Sequence, residues 1–368
     1  MEMEKDRRIK KASVFFGAVL AGLLAVSCGD RGGKDAEGFP PAETLVADSV
    51  AIEQVLSVSG WNLYGDYAVI FSPQTEKVLF RYRLPEWTFV DTTFSLGEGP
   101  DDFGQYVSLL EGNEPRSSAF WIGDGIKERM ARIAVQGDGS LEKTVRGRYA
   151  VGQQSVVFGD TLVAYSTQEG EREAHIRTAV LADTLVALDS VPGYAQRKID
   201  IQQANGQIQS VRVLTYNAGQ MAGAADRLAV WYPGTKNLAV YRIGTDGRLT
   251  EEGVYGEVPL TQEAVDAYVE AHPDFVPDDF SLIAADRDHL YFLEKERETP
   301  RQDLPEGTYP PVKSVVIKVY DWQFRPVAKL LPDHPSASDV RIDLLRRKIY
   351  AYDPQVDFEQ VYVYDYTL

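Results

Sequence analysis

One strand pattern returns six times along this chain and restricts what it can fold into. Each return is a polar residue, a short apolar run, a polar loop and a second, alternating run. The pairs lie at 66–71 and 77–82, 118–122 and 130–135, 160–165 and 174–180, 226–231 and 237–242, 288–293 and 314–320, and 347–352 and 360–365. Their openings are 52, 42, 66, 62 and 59 residues apart. Short runs rich in Val, Ile, Tyr and Phe between turn residues read as strands, and helical periodicity is nearly absent. Strand-only units recurring at such intervals point to a β-propeller. Asp138-Gly139 and Asp246-Gly247 mark hairpins, because a two-residue primed turn needs positive φ and glycine adopts it at little cost.

The chain ends in a strand, 361–368, while 44–58 is strand-like but precedes the first full unit. The N-terminal strand is therefore expected to complete the last blade, leaving no exposed edge. The expected fold class is all-β: a six-bladed β-propeller over 43–368, closed by its N-terminal strand, with one short helical insertion. That insertion is 260–272, where Thr261 can cap the start, Ala264, Val265, Tyr268 and Val269 form an apolar stripe, and Pro273 stops the helix. A long polar loop, 294–311, interrupts the fifth unit.

Ahead of the repeats, Lys5, Arg7, Arg8, Lys10 and Lys11 precede an uninterrupted apolar run from Val14 to Val26. This is the layout of a secretory signal, and the run is too short to span a hydrocarbon core of roughly 30 Å. Cys28, the only cysteine, follows at once. A lone thiol forms no internal disulfide, so it needs another role. Leu24-Ala25-Val26-Ser27-Cys28 resembles a lipobox, with Ala25 where leucine is usual. The expected organisation is a signal peptide over 1–27, lipid attachment at Cys28, a flexible tether over 28–42, and the propeller after it. The expected location is the cell envelope, with membrane contact through the lipid alone.

Leu96-Gly97-Glu98-Gly99-Pro100-Asp101-Asp102-Phe103-Gly104 follows the third strand of the first unit. Together with the lipobox and the six units, this turn resembles the TolB-like six-bladed propeller lipoproteins common in Bacteroidetes. The resemblance implies a lipid-anchored propeller in the envelope and no established reaction. The glycines are expected to supply positive φ, and Pro100 holds Gly99 extended.

Charge narrows the partners. Residues 1–27 hold 5 basic and 3 acidic residues, so the mature chain carries 33 against 52, a net charge of −19. Nucleic acid needs a basic surface, so it is excluded. No metalloprotease, nucleophile-elbow, P-loop or EF-hand motif occurs, and the glycine spacing from Gly97 to Gly104 is wrong for a dinucleotide site. No cofactor is expected. His175, His272, His289 and His334 fall in different units, so no metal site is expected either.

The candidate binding residues are loop acids and the helix: Glu98, Asp101, Asp102, Tyr268, His272, Asp278 and Asp279. Paired carboxylates can do acid–base work when their environments split their proton affinities, and insertions on a repeat scaffold often line its binding face. With no catalytic motif, the expected function is a monomeric, non-catalytic binding module for a glycan, peptide or partner protein. The alternative is a polysaccharide hydrolase or lyase working at the channel mouth. Cys28→Ala is expected to move the protein from the membrane to the soluble fraction; retention in membranes would remove the lipid anchor.

Overall fold

The computed structural model describes residues 34–55, 57–112, 117, 119–137, 139–148, 154–166, 174–181, 185–194, 196–204, 207–216, 218–272, 279–298, 310–356 and 358–368. The signal 1–27, Cys28, the tether as far as residue 33, and Asp278 lie outside the described residues. No helix among the described residues is long and apolar enough to cross a membrane.

Two short strands, β1 (Glu43–Leu45) and β2 (Asp48–Ala51), precede a run of four-strand meanders. These are β3 (Gly60–Tyr64), β4 (Tyr67–Phe71), β5 (Leu79–Arg83) and β6 (Thr88–Thr93); then β7 (Val107–Gly112), β8 (Ala119–Asp124), β9 (Arg129–Val135) and β10 (Leu141–Arg148); then β11 (Gln154–Phe158), β12 (Thr161–Ser166), β13 (His175–Leu181) and β14 (Leu185–Pro192). A hairpin, β15 (Gln196–Ala204) and β16 (Gln207–Tyr216), leads to β17 (Gln220–Ala224), β18 (Arg227–Tyr232), β19 (Asn237–Ile243) and β20 (Leu249–Tyr255). Helix α1 (Gln262–Ala271) precedes β21 (Phe280–Ala285), β22 (His289–Arg297), β23 (Val312–Asp321) and β24 (Pro326–Pro332), and β25 (Asp339–Asp343), β26 (Lys348–Tyr352) and β27 (Gln360–Asp365) end the fold.

The arrangement is an all-β propeller with one helix. The innermost strands meet in a closed circuit: β3 touches β7, β7 touches β11, and so on through β17, β21 and β25 back to β3. Four sheets stand as separate blades, β3–β6, β17–β20, β21–β24 and β25–β27. The other two meanders do not stand apart as six separate blades would. Parallel pairing of Val156 with Glu111 and Val157 with Gly112 joins β11 to β7, merging them into one eight-stranded sheet. There the two innermost strands come close enough to share backbone hydrogen bonds.

The expected closure is present, in a more elaborate form. β2 pairs antiparallel with β27, from Asp48 opposite Val363 to Ala51 opposite Gln360, and so forms the outer strand of the last sheet. β1 runs parallel to β24 on the preceding sheet. A single N-terminal segment therefore fastens two blades.

Each core cluster is shared between neighbouring meanders. Phe71 and Val69 pack with Phe120 and Ile133, Leu110 and Trp121 with Val157 and Leu162, and Tyr165 and Ile176 with Val230 and Tyr241. Trp231 packs with Phe292 and Leu290, Ile317 and Leu330 with Ile349 and Tyr364, and Tyr350 and Phe358 with Trp61 and Tyr82. Middle strands thus bury both faces, which is why β4 and β18 read as continuous apolar runs. Outer strands such as β6 and β20 face water and carry Thr, Asp and Glu.

The polar openings of the repeats turn out to be the tight turns between the first and second strands. In four of the units the carbonyls of Asp66, Asp160, Asp226 and Arg347 accept equivalent bonds from Leu84, Leu181, Ile243 and Tyr366. The innermost strand therefore precedes each opening. The sequence pattern matched the second and third strands of each unit. The hairpin β15–β16 explains the longest interval, 66 residues between openings.

The segment expected to be a tether is packed from Asp35 onward. Asp35 closes a turn with the N–H groups of Glu37 and Phe39 and pairs with Lys329 at 2.5 Å. Glu37 reaches Lys318 at 2.9 Å, a lysine buried in β23 that Glu294 also contacts at 2.9 Å. Hydrogen bonding to Lys329 and Lys318 respectively holds Asp35 and Glu37 below the usual carboxylate range. Phe39 is fully buried, edge-on to Tyr320 and under the Lys329 ammonium. Removing a buried Phe side chain costs about 3–5 kcal/mol. Phe39→Ala is expected to lower the denaturation midpoint accordingly and to make 34–45 the first site of proteolysis. An unchanged midpoint would show that the clasp lies outside the cooperative unit.

Candidate functional site

A cavity of about 650 Å³ sits at the centre of the ring, lined by the innermost strands β3, β7, β11, β17, β21 and β25. That volume suits a small molecule. Side chains stitch these strands to one another around its wall. The Tyr64 hydroxyl donates to the Leu110 carbonyl at 2.9 Å, linking β3 to β7. Gln154 accepts from the Met221 N–H at 2.7 Å, and Gln220 from the Leu282 N–H at 2.9 Å, linking β11 to β17 and β17 to β21. Arg341 donates from Nε to the Trp61 carbonyl at 3.0 Å, linking β25 to β3. Its Nη1 and the Trp61 indole N–H both donate to Asp339 Oδ1, at 2.8 and 3.0 Å, with the guanidinium 5.1 Å from the indole centroid.

Glu111 is the unusual member. It sits half-buried on β7 facing the cavity, where desolvation pushes its carboxyl up to about 8 while Arg341 acts in the opposite direction. No described residue hydrogen-bonds it. Its charge and that of Arg341 are both felt at Tyr64, whose phenol burial also pushes up, so the three side chains lie within electrostatic reach. At neutral pH the Glu111 carboxyl is mostly protonated and able to donate a hydrogen bond.

The residues expected from sequence are elsewhere. Glu98 and Asp101 are exposed on the loop between β6 and β7, and Asp102 folds back onto Gly99 N–H at 3.0 Å. Neither Gly97 nor Gly99 has positive φ. They are glycines because a Cβ there would lie 2.5 and 2.7 Å from the Asp102 carboxylate. The loop is held by cations from the next meander: Lys127 donates to the carbonyls of Gly99 and Asp102, Arg129 to that of Pro100, and Lys143 to that of Asp101. Burial, with Arg129 nearby, pushes the Lys143 ammonium down to about 8. Its construction is that of a joint between consecutive meanders.

Tyr268 and His272 stack on one turn of α1, with centroids 4.1 Å apart. Thr261 caps this helix through the Ala264 N–H at 3.3 Å, as its sequence implied. Asp279 is paired with Arg297 at 2.7 Å, and Arg297 also holds the Pro310 carbonyl, so the pair braces the base of the loop in the fifth unit. None of these residues lines the cavity. Among the described residues no cluster of three metal-ligating side chains occurs. The sequence did carry a faint signal for the true lining: Gln154 and Gln220 each open an innermost strand, and Glu111 is an acid ending an apolar strand.

No family model and no curated protein matches this sequence. Solved structures do resemble it. A member of the DUF4221 family from Bacteroides vulgatus is 10% identical with a TM-score of 0.51, over 88% of this chain and 97% of that one. A protein of Bacteroides fragilis, described as exported, is 10% identical with a TM-score of 0.49, over 87% and 94%. A gluconolactonase from Xanthomonas campestris is 12% identical with a TM-score of 0.44, over 86% and 89%. At these identities the first likeness shows the propeller fold alone.

A carboxyl that keeps its proton only when folded makes stability depend on pH. Above the unfolded value near 4.5 the native chain holds a proton that the unfolded chain has lost, so stability falls as pH rises until the folded value near 8 is passed. The slope approaches about 1.4 kcal/mol per pH unit in that window. Glu111→Gln is expected to be more stable than wild type at pH 9, with the difference vanishing near pH 4. Parallel denaturation profiles from pH 4 to 9 would show that Glu111 is not desolvated.

Proposed function

We propose that this chain is an exported, lipid-anchored, six-bladed propeller whose central channel binds a small polar ligand without transforming it. Six blades follow if β7–β10 and β11–β14 are counted separately. They share a core in the way every other neighbouring pair does, and the pairing between them covers only two residue pairs. The lipobox at Cys28 and the likeness of the Gly97–Gly104 turn to TolB-like lipoproteins support placement at the envelope. The observation that carries the binding role is the channel itself: about 650 Å³, walled by six strands, and lined by Arg, Gln, Ser, Asp and Glu side chains. A convergent polar lining in an enclosed cavity is what orients a small ligand.

The second reading, a hydrolase or lyase acting on polysaccharide, is favoured by Glu111, because a carboxyl protonated at pH 7 is equipped as a general acid. It requires turnover of a glycoside that Glu111→Gln abolishes.

Gly112 lines the channel beside Glu111, and a Cβ there meets only the Val157 carbonyl, at 4.0 Å. Gly112→Phe is therefore expected to fill the channel and leave the fold intact. A ligand at a hundred times its dissociation constant adds about 2.7 kcal/mol. In a thermal-shift panel of monosaccharides, sugar acids and short peptides, at least one compound is expected to stabilise wild type and not Gly112→Phe. Equal shifts in both proteins would place binding outside the channel.

A further inference from the structure

Two donors on the channel wall, Arg341 Nη2 and Gln154 Nε2, are left without partners among the described residues. Arg341 has its Nε and Nη1 engaged, whereas Nη2 has no partner among the described residues. Gln154 is fixed through its carbonyl oxygen, which leaves Nε2 a donor with no partner among the described residues. Gln220 is engaged at both ends, its carbonyl oxygen accepting from Leu282 N–H and its Nε2 donating to Ser281 Oγ at 3.3 Å. Glu111, uncharged at neutral pH, adds a hydroxyl donor.

Tyr64 from β3 and Arg341 from β25 lie within electrostatic reach of Glu111, and the other titratable and charged groups lining the cavity are Asp343 from β25, Arg132 from β9, and Asp160 from the turn after β11. Asp343 is engaged by the N–H groups of Leu345 and Arg346 and by the Arg346 guanidinium. Arg132 has no hydrogen-bond or ion-pair partner among the described residues. The stretches of β17 and β21 that line the channel carry no ionisable side chain.

We propose that the channel ligand is a small hydroxylated carboxylic acid, its carboxylate held between Arg341 and the Glu111 carboxyl and a hydroxyl by Gln154. The proposal rests on the channel-binding reading and narrows it. A carboxylate accepting from a guanidinium and a carboxylic acid makes charge-assisted bonds, roughly twice as strong as the neutral bonds a plain sugar would make. A cation would meet two guanidinium groups against the Asp160 and Asp343 carboxylates, the second already engaged by Arg346. The net negative charge of the chain weighs less, because exposed charges beyond about 8 Å are largely screened at physiological salt, whereas contacts inside the channel are not.

Ionising Glu111 would set two carboxylates against each other, so binding should weaken as pH passes about 8. The test is calorimetric titration of the folded chain with galacturonate and glucuronate against galactose and glucose, at pH 7 and pH 9. The expected result is that at least one acid binds ten times or more tighter than its neutral parent at pH 7. Its affinity should fall about tenfold by pH 9, as loss of a proton with a free-state value near 8 requires. Glu111→Gln, which keeps a neutral donor, should remove that pH dependence. Neutral sugars binding as tightly as the acids, or an acid whose affinity is the same at both pH values, would overturn the proposal and leave channel binding standing. No heat from any of the four sugars also overturns it; the comparison of wild type with Gly112→Phe then decides separately whether the channel binds anything.

Discussion

Every sheet of this propeller lends both of its faces to its neighbours. Phe71 lies against Phe120 of the next meander, while Trp61 on the same sheet lies against Tyr352 of the last. A meander taken out of the ring would expose two apolar faces and hold no core of its own. Burial of a large apolar side chain contributes about 1.5–3 kcal/mol, and these contributions exist only where a neighbour is present. Stability therefore belongs to the closed ring, and closure is the condition on which the remainder depends. This explains why the N-terminal segment is fastened so heavily, with β2 on β27, β1 on β24, and Phe39 sealed beneath Lys329.

The channel follows from the same closure. Six strands converging on an axis cannot all fill the space between them, so a cavity remains and its wall must be stitched. The stitches are polar, because the first residues of the innermost strands face a neighbour's backbone N–H or carbonyl instead of an apolar face. Gln154 and Gln220 satisfy those groups as a ladder hydrogen bond would. Glu111 differs, since it satisfies nothing. An acid in that position costs stability whenever it ionises, as burial of an unpaired charge always does.

Two features of the sequence take their full meaning only in the structure. The Gly97–Gly104 turn is a joint: its acids are exposed or folded onto the turn's own backbone, and the cations around it bind carbonyls. Its glycines make room for Asp102. The residues after Asp35, which lack periodicity, pack tightly, because a single Phe and two acids find a pocket and two lysines on β23 and β24. No local pattern could announce that contact, whose partners lie nearly three hundred residues away.

The sequence by itself determined the strand content, the repeat, the hairpin glycines, the capped helix and the need for an N-terminal strand in the last sheet. All of these are local or periodic: a middle strand buried on both faces is mostly apolar, and glycine takes the positive φ of the turns at Gly139 and Gly247. The innermost strands escaped the pattern because one end faces a polar channel, so Gln154-Ser155 and Gln220-Met221 look like loop. The site escaped for the same reason. Glu111, Arg341 and Tyr64 come from three meanders and meet only when the ring closes, and the proton on Glu111 is held by an enclosure that exists nowhere in the linear chain.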